Sequence, residues 1–335
     1  IYVEKILGAH ESLRQEWSVA GTTGYEFLNA LEAVLIHPRG AAQIEEGYNK
    51  VSQRKKSYVQ TALQAKRRVL RKELAAYVGQ LARMLMNIAK AEDHSLSARR
   101  DEISQAIVEV ITCLPVYRTY FDDSQDEPTA EDQRLIEQAA TNAATAVKNL
   151  DVLNFLRDVL LMRSVGRLSD ADRTRRAQFV LRFQQLSGPA AAKGIEDTAF
   201  YVHVPLLSRN EVGGEPQEPI DDAVQRFHAA NADRAANWPG SLLTVTTHDT
   251  KRSADVRARL DTLSEVPDLW LQTVRRWHRR HRNLRRKIRG LFAPDPNTEY
   301  LFYQTLIGVW PLREGVRPGG VDEFLRPRLA HYMVK

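Results

Sequence analysis

One cysteine, Cys113 in the apolar stretch ITCLPVY, stands among 335 residues. No disulfide can close within the chain, and neither a thiolate metal cage nor a CxxC redox pair is available. That usage fits a reducing, cytoplasmic setting. Apolar runs of 18 residues are absent, as is a basic segment leading into an apolar one, so no membrane span or secretory leader is expected. The nine histidines, His10 and His203 among them, show no ligand spacing. A catalytic metal is therefore not expected, nor any other cofactor. Neither charge dominates: 48 Lys and Arg against 42 Asp and Glu leave +6, which permits anionic partners without requiring them. No repeat period stands out. At this length the chain has room for two domains, or for one large α/β domain carrying an insertion.

Two further absences concern the ends. The first residues, IYVEKIL, carry no Met and already form a β-branched run whose backbone needs strand neighbours. FLRPRLAHYMVK stops inside a helical pattern, with Leu325, Leu329, Tyr332 and Met333 on one side and no Gly or Pro to end it. A fragment is expected.

Between the ends, residues 8 to 29 are loop-like and rich in Gly and Thr, and from about 30 to 185 the pattern is almost wholly helical. In KRRVLRKELAAYVGQLARMLMNIAK, residues Leu70, Leu74, Tyr77, Leu81, Leu85 and Ile88 recur at three- and four-residue steps, predicting one long amphipathic helix. DDSQDEPTAED is a polar loop. Strand-like runs return at AQFVLRFQQLSG and at GSLLTVTTHD, the second introduced by the turn signal NWPG. Leu242, Leu243 and Val245 with three Thr suggest a strand buried on both faces, as in parallel sheets covered by helices. A helical pattern resumes at SADVRARL. So much helix flanked by strands predicts an insertion within an α/β domain, with boundaries near 1–30, 31–180 and 181–335.

In α/β folds the carboxyl ends of strands face the active site, and His248 and Asp249 occupy such an end. Asp249 suits either that role or the N-cap of the following helix. Glu4, amid Ile1, Tyr2, Val3, Ile6 and Leu7, is costly to bury unless paired or protonated, and a protonated carboxyl suits a general acid. The alternative is that Glu4 pairs with Lys5 or faces solvent. Two carboxylates at strand ends imply acid/base work on a glycosidic bond.

VEKIL, GTTGYEFLN, AKGIEDTAFY, LLSRNEVGGEP, TVTTHDTKRSADVRARL and PDPNTEYLFYQTLIGVWP fall in this order along the chain. Together they resemble the maltooligosyl trehalose synthases of the α-amylase superfamily, which are (β/α)8-barrel enzymes. The resemblance implies an α/β fold, a partial (β/α)8 TIM barrel of strands 5 to 8 with a large all-helical insertion. It implies that Glu4, ending strand five, is the general acid/base, that Asp249, after strand seven, stabilises the oxocarbenium-like transition state, and that His248 bonds sugar hydroxyls. Lys251, Arg252, Lys193, Glu196, Asp197, Arg209, Asn210 and Glu211 become candidates for the reducing-end sugars, or else members of structural ion-pair networks. Tyr25, Trp17, Tyr201 and Trp238 are candidates for stacking on sugar faces, or core aromatics. The superfamily's nucleophilic aspartate, in an Arg-x-Asp motif after strand four, has no counterpart before Glu4. RLD at Arg259 to Asp261 lies in a helical pattern and is a poor substitute. The resemblance thus implies the carboxyl-terminal part of a barrel, inactive alone, whose partners are the amino-terminal half and a maltooligosaccharide, with neither membrane nor nucleic acid.

Two other readings compete. RRWHRRHRNLRRKIR, residues 275 to 289, has nine Arg or Lys and could track phosphates. Yet Trp270, Val274, Trp277, His281, Leu284 and Ile288 mark an apolar seam, so a core-packed helix with a basic outer side is the expectation. The other reading is a degenerate barrel without catalysis.

Overall fold

The computed structural model describes residues 1–9, 11–54, 56–122, 127–311 and 325–334. It separates into two compact units, Ile1–Lys5 with Leu13–Lys56 and Tyr201–Lys335, and Ile6–Ser12 with Ser57–Phe200. The first unit opens with β1 (Tyr2–Val3) and β2 (Gly21–Thr22), paired in parallel with Tyr2 opposite Gly21 and Val3 opposite Thr22. Helices α1 (Tyr25–Leu35) and α2 (Pro38–Ser52) follow.

The second unit is helical: α3 (Tyr58–Arg71), α4 (Ala75–Ala91), α5 (Arg100–Cys113), α6 (Ala130–Ala143), α7 (Leu150–Leu160) and α8 (Asp170–Ala191). Polar caps set several of its helix starts. Thr129, Asn149 and Ser169 accept the backbone N–H of Asp132, Val152 and Asp172, each such cap being worth about 1 kcal/mol. Leu81 and Leu85 of α4, Ile107 of α5, Ala139 of α6, Leu156 of α7 and Phe183 of α8 meet in one core. Pro189 removes a backbone donor in the last turns of α8. The chain then continues as a π-helix over Ala192–Ala199 and a single turn, α9 (Phe200–Val202).

The first unit resumes with α10 (Ala223–Asn237), α11 (Ala254–Asp261), α12 (Pro267–His281), the antiparallel pair β3 (Arg286–Ile288) and β4 (Leu291–Ala293), α13 (Pro296–Val309) and α14 (Leu325–Val334). Its core joins Ile44 and Tyr48 of α2, Leu260 of α11, Trp270 and Val274 of α12 and Tyr300 of α13. The polar edges of the rings are satisfied inside it: Trp270 Nε1 donates to Tyr300 Oη at 2.9 Å, and Tyr300 Oη to the Pro205 carbonyl at 3.0 Å.

Several expectations need correction. Among the described residues the sheets are two pairs, β1–β2 and β3–β4, within a mostly helical α/β fold, rather than a four-strand barrel segment. AQFVLRFQQLSG is part of α8, because Phe179, Val180, Phe183 and Leu186 bury one helical face and Gln184 bonds both the N–H and the carbonyl of Phe121. GSLLTVTTHD forms no strand, and Leu242, Leu243 and Val245 are exposed. The strand beside β1 instead comes from the Gly- and Thr-rich stretch. The long helix is broken at Lys72–Leu74 into α3 and α4, so that Val78 takes the inward position and Tyr77 is exposed. The apolar seam past His281 also ends early. The chain leaves α12 for β3, and Leu284 and Ile288 are exposed. Asp123–Gln125 and Asp126 of the acidic loop, and His10, lie outside the described residues.

Candidate active site

β1 ends at Val3, and Glu4 follows at once, exposed rather than buried in an apolar strand. The neighbouring Lys5 is the buried one. On the far side of β2 the chain of residues 241–245 runs alongside: Leu242 N donates to the Thr22 carbonyl at 3.2 Å, and Thr22 N to Ser241 Oγ at 3.2 Å. Two glycines permit this approach. A Cβ on Gly21 would lie 2.6 Å from Ser241 Cβ, and one on Gly24, whose φ is +92°, only 2.3 Å from the Leu242 carbonyl oxygen. Both positive φ and lack of space demand glycine at Gly24.

From there the chain turns on threonine hydroxyls. Thr250 Oγ1 donates to the Thr247 carbonyl at 2.8 Å, Thr247 N donates to Thr250 Oγ1 at 3.2 Å, and Asp249 N donates to Thr247 Oγ1 at 3.2 Å. Tyr25 Oη meets Thr247 Oγ1 at 2.9 Å. The turn presents His248 and Asp249 outward, with side chains 85% and 53% exposed and His248 Nε2 3.3 Å from Asp249 Oδ2. α11 starts at Ala254 behind Ser253, so Asp249 is not its cap. The outward carboxylate–imidazole pair offers one anion and a hydrogen-bonding ring to whatever lies in front of it.

The remaining sequence candidates separate clearly. Arg252 points inward, its guanidinium donating to the carbonyls of Leu207 and Asn210 at 3.3 and 3.4 Å and to Tyr332 Oη at 3.2 Å. Lys251 is half-buried beside it. Asn210 is fully buried and donates to the His203 carbonyl at 2.7 Å, and Arg209 donates to the carbonyl of Glu218 at 2.5 Å. Glu211 is 1% exposed, and its carboxylate accepts N–H groups from Val212, Lys251 and Arg252 at 2.9, 2.7 and 3.1 Å. Tyr25 is buried; Trp17, near the Arg14 guanidinium, and Trp238, just past α10, are half-buried, and Tyr201 is exposed. Lys193, Glu196 and Asp197 belong to the helical unit, in its π-helix, where Tyr117 Oη donates to Glu196 Oε1 at 2.6 Å. The basic stretch 275–289 splits between α12, a 3-10 turn and β3.

Arg257 and Glu32 of this region escaped the sequence reading, and Asp261 entered it only as a poor substitute for the nucleophile. Arg257, 2% exposed, donates through Nη2 to the Val245 carbonyl at 2.6 Å, through Nη1 to the Arg252 carbonyl at 2.6 Å and through Nε to Glu32 Oε2 at 2.9 Å. Its Nη1 also lies 3.6 Å from Glu211. Asp261 and Glu32 are buried next to each other. Burial first, then the neighbouring carboxylate, pushes the Asp261 carboxyl up to about 8, and burial raises Glu32 as well. Each carboxyl thus holds its proton above the ordinary carboxylate range. The available signal was position: Glu32 lies four residues after buried Leu28, and Asp261 four after Arg257, so each charge stands on an inward helical face.

No group of three His, Cys, Asp or Glu among the described residues is arranged to hold a metal, and no helix among them is long and apolar enough to cross a membrane. No family model matches the sequence. A Mycobacterium tuberculosis protein assigned as a maltooligosyl trehalose synthase is 31% identical over 335 residues, all of this chain and 38% of that protein. The maltooligosyltrehalose synthase of Arthrobacter ramosus superposes with a TM-score of 0.77 at 31% identity, over 99% of this chain and 37% of the other. The chain resembles maltooligosyl trehalose synthases along its entire length. A Sulfolobus tokodaii structure described as a hypothetical maltooligosyl trehalose synthase agrees, with a TM-score of 0.71 at 25% identity over 99% of this chain. The chain spans a little over a third of the length of the maltooligosyl trehalose synthases it matches.

Proposed function

We propose that the longer protein containing this chain converts the reducing-end α-1,4 linkage of a maltooligosaccharide into an α,α-1,1 linkage, giving a trehalose-terminated product. The observation that carries this reading is the whole-chain similarity to maltooligosyl trehalose synthases. The order of segments supports a barrel: β1, β2 and residues 241–242 lie side by side in that order, as consecutive barrel strands do, with Glu4 and the His248–Asp249 turn just after two of them. In this reading the exposed faces of Leu242, Leu243 and Val245 pack inside the completed barrel.

Glu4 protonates the last glycosidic oxygen, and an aspartate supplied from outside these 335 residues attacks the anomeric carbon, forming a glycosyl-enzyme in the manner of retaining enzymes. Asp249 stabilises the positive charge that develops on the ring, and His248 bonds its hydroxyls. The released glucose stays and turns. Glu4, now a base, takes the proton of its anomeric hydroxyl, whose oxygen displaces the aspartate. Tyr25, held against Thr247, and the aromatics Trp17 and Tyr201 are proposed around the sugars, with Lys251 near the reducing end. Water must be kept out, because hydrolysis would release free glucose.

The test is the complete enzyme with Glu4→Gln. General acid–base help is worth ~10²–10⁴ in rate, so trehalose-terminated product should fall by at least that range while the melting temperature holds. Near wild-type turnover would remove Glu4 from the mechanism.

A further inference from the structure

The turn that carries His248 and Asp249 is fastened at its two ends by buried charge. Arg257 reaches both ends at once, bonding the carbonyl of Val245 with Nη2 and that of Arg252 with Nη1. Glu211 takes the opposite polarity at the same place, accepting the N–H groups of Lys251 and Arg252 on its two oxygens. Glu32 holds the remaining face of the guanidinium through Nε, and Glu211 lies 3.6 Å from Nη1. A planar guanidinium with donors on three edges can span two carbonyls and a carboxylate, which an ammonium on a flexible stem cannot.

We propose that Arg257 and Glu211 are positioning residues for the reaction: together they clamp the main chain of residues 245–252 and so hold Asp249 and His248 at the angle from which they act on the sugar. Two features separate this from generic core packing. Every group that the clamp grips in the 245–252 segment is a main-chain atom, and the grip comes at both ends of the turn. Glu211 then serves the substrate through the turn rather than by touching a hydroxyl, since its oxygens are occupied by backbone N–H groups and it is sealed from solvent. An error of ~1 Å in the placement of a reacting group costs on the order of 10²-fold in rate, so a loosened turn should lower kcat far more than it alters KM.

This proposal rests on the reading of His248 and Asp249 as substrate-facing, and the experiment keeps the two apart. In the complete enzyme, Glu211→Gln and Arg257→Lys are compared with wild type by hydrogen exchange over residues 246–253, by kcat and KM on maltopentaose, and by thermal melting. The expected result is slow exchange at the Lys251 and Arg252 amides in wild type, at least tenfold faster exchange in Glu211→Gln, and a kcat down by about 10- to 100-fold with KM changed less than threefold. Unaltered exchange in a folded Glu211→Gln variant overturns the clamp. So does faster exchange with unchanged kcat. If Arg257→Lys or Glu211→Gln does not fold, wild type alone decides the clamp: amides of Lys251 and Arg252 that exchange as fast as that of His248 overturn it. Wild-type enzyme that protects those amides but leaves maltopentaose untouched supports the clamp and removes the proposed substrate.

Discussion

Asp249 is the residue on which the chemistry can be weighed most directly. Its carboxylate is outward, caps no helix, and has His248 as its recorded partner. Asp249→Asn should therefore leave melting unchanged. Losing a preorganised charge of this kind typically costs ~10²–10³ in kcat, and that is the expected loss for the complete enzyme on maltooligosaccharides; a variant with most of its rate would leave the carboxylate without a role. Asp261 makes the opposite kind of prediction, about stability. The groups facing it are Glu32, Arg257 and Ser208, and its pKa stands well above the ordinary carboxylate value. A carboxyl raised on folding holds its proton better in the native state, so it stabilises at low pH and that contribution is lost as pH rises from about 4 through about 8. Asp261→Asn, whose amide can donate to Glu32 at any pH, should flatten the fall in urea midpoint across that window. A variant as pH-sensitive as wild type would mean that Asp261 does not titrate across that window.

At the scale of elements, the helical character of α3 through α7 was legible in apolar residues recurring at helical steps, though not the break between α3 and α4. The mistakes have physical causes. Phe179, Val180 and Phe183 are strand-favouring residues in AQFVLRFQQLSG, but tertiary burial along α8 outweighed their propensity. Gln184 illustrates what the pattern could not disclose, because its amide substitutes for a backbone partner at Phe121. Gln184→Ala should strand both of those buried groups, at about 1–3 kcal/mol each, seen as a lower urea midpoint at unchanged slope. Strand β2 was missed because Gly and Thr in GTTG read as a loop, whereas the glycines are there for the approach of residues 241–244. Gly24→Ala is expected to cost at least ~2 kcal/mol, since left-handed backbone alone costs a side chain 1–2 kcal/mol and the Leu242 carbonyl leaves no room. A neutral Gly24→Ala would contradict the packing of that segment.

For the molecule as a whole, the motifs quoted from the sequence pointed to the relatives later found by comparison, while in place of the four barrel strands expected with them the described residues hold the pairs β1–β2 and β3–β4. Glu4 and the His248–Asp249 turn drew notice because charge follows short β-branched runs, although only the first of those runs is a strand. The clamp beneath them did not, because Arg257 bonds Glu32 across 225 residues of chain and no local pattern links it to Glu211. Under the proposed function, the 335 residues alone should leave maltopentaose unconverted, and adding the remaining portion of the enzyme should restore conversion. Turnover by the isolated chain, followed by product chromatography, would place the nucleophile within it.

The fastening of the 245–252 turn by main-chain atoms has an evolutionary corollary. Val245, Lys251 and Arg252 offer the clamp only carbonyls and N–H groups, so the frame does not read which side chains the turn carries. Sequence change at Lys251 is thereby uncoupled from the clamp, whereas Thr247, Thr250 and Arg252 hold the turn through their own side chains. A lineage, or a laboratory library at Lys251, can sample new contacts to sugar while the scaffold stays put, whereas Arg257 and Glu211 are the places where variation should be punished.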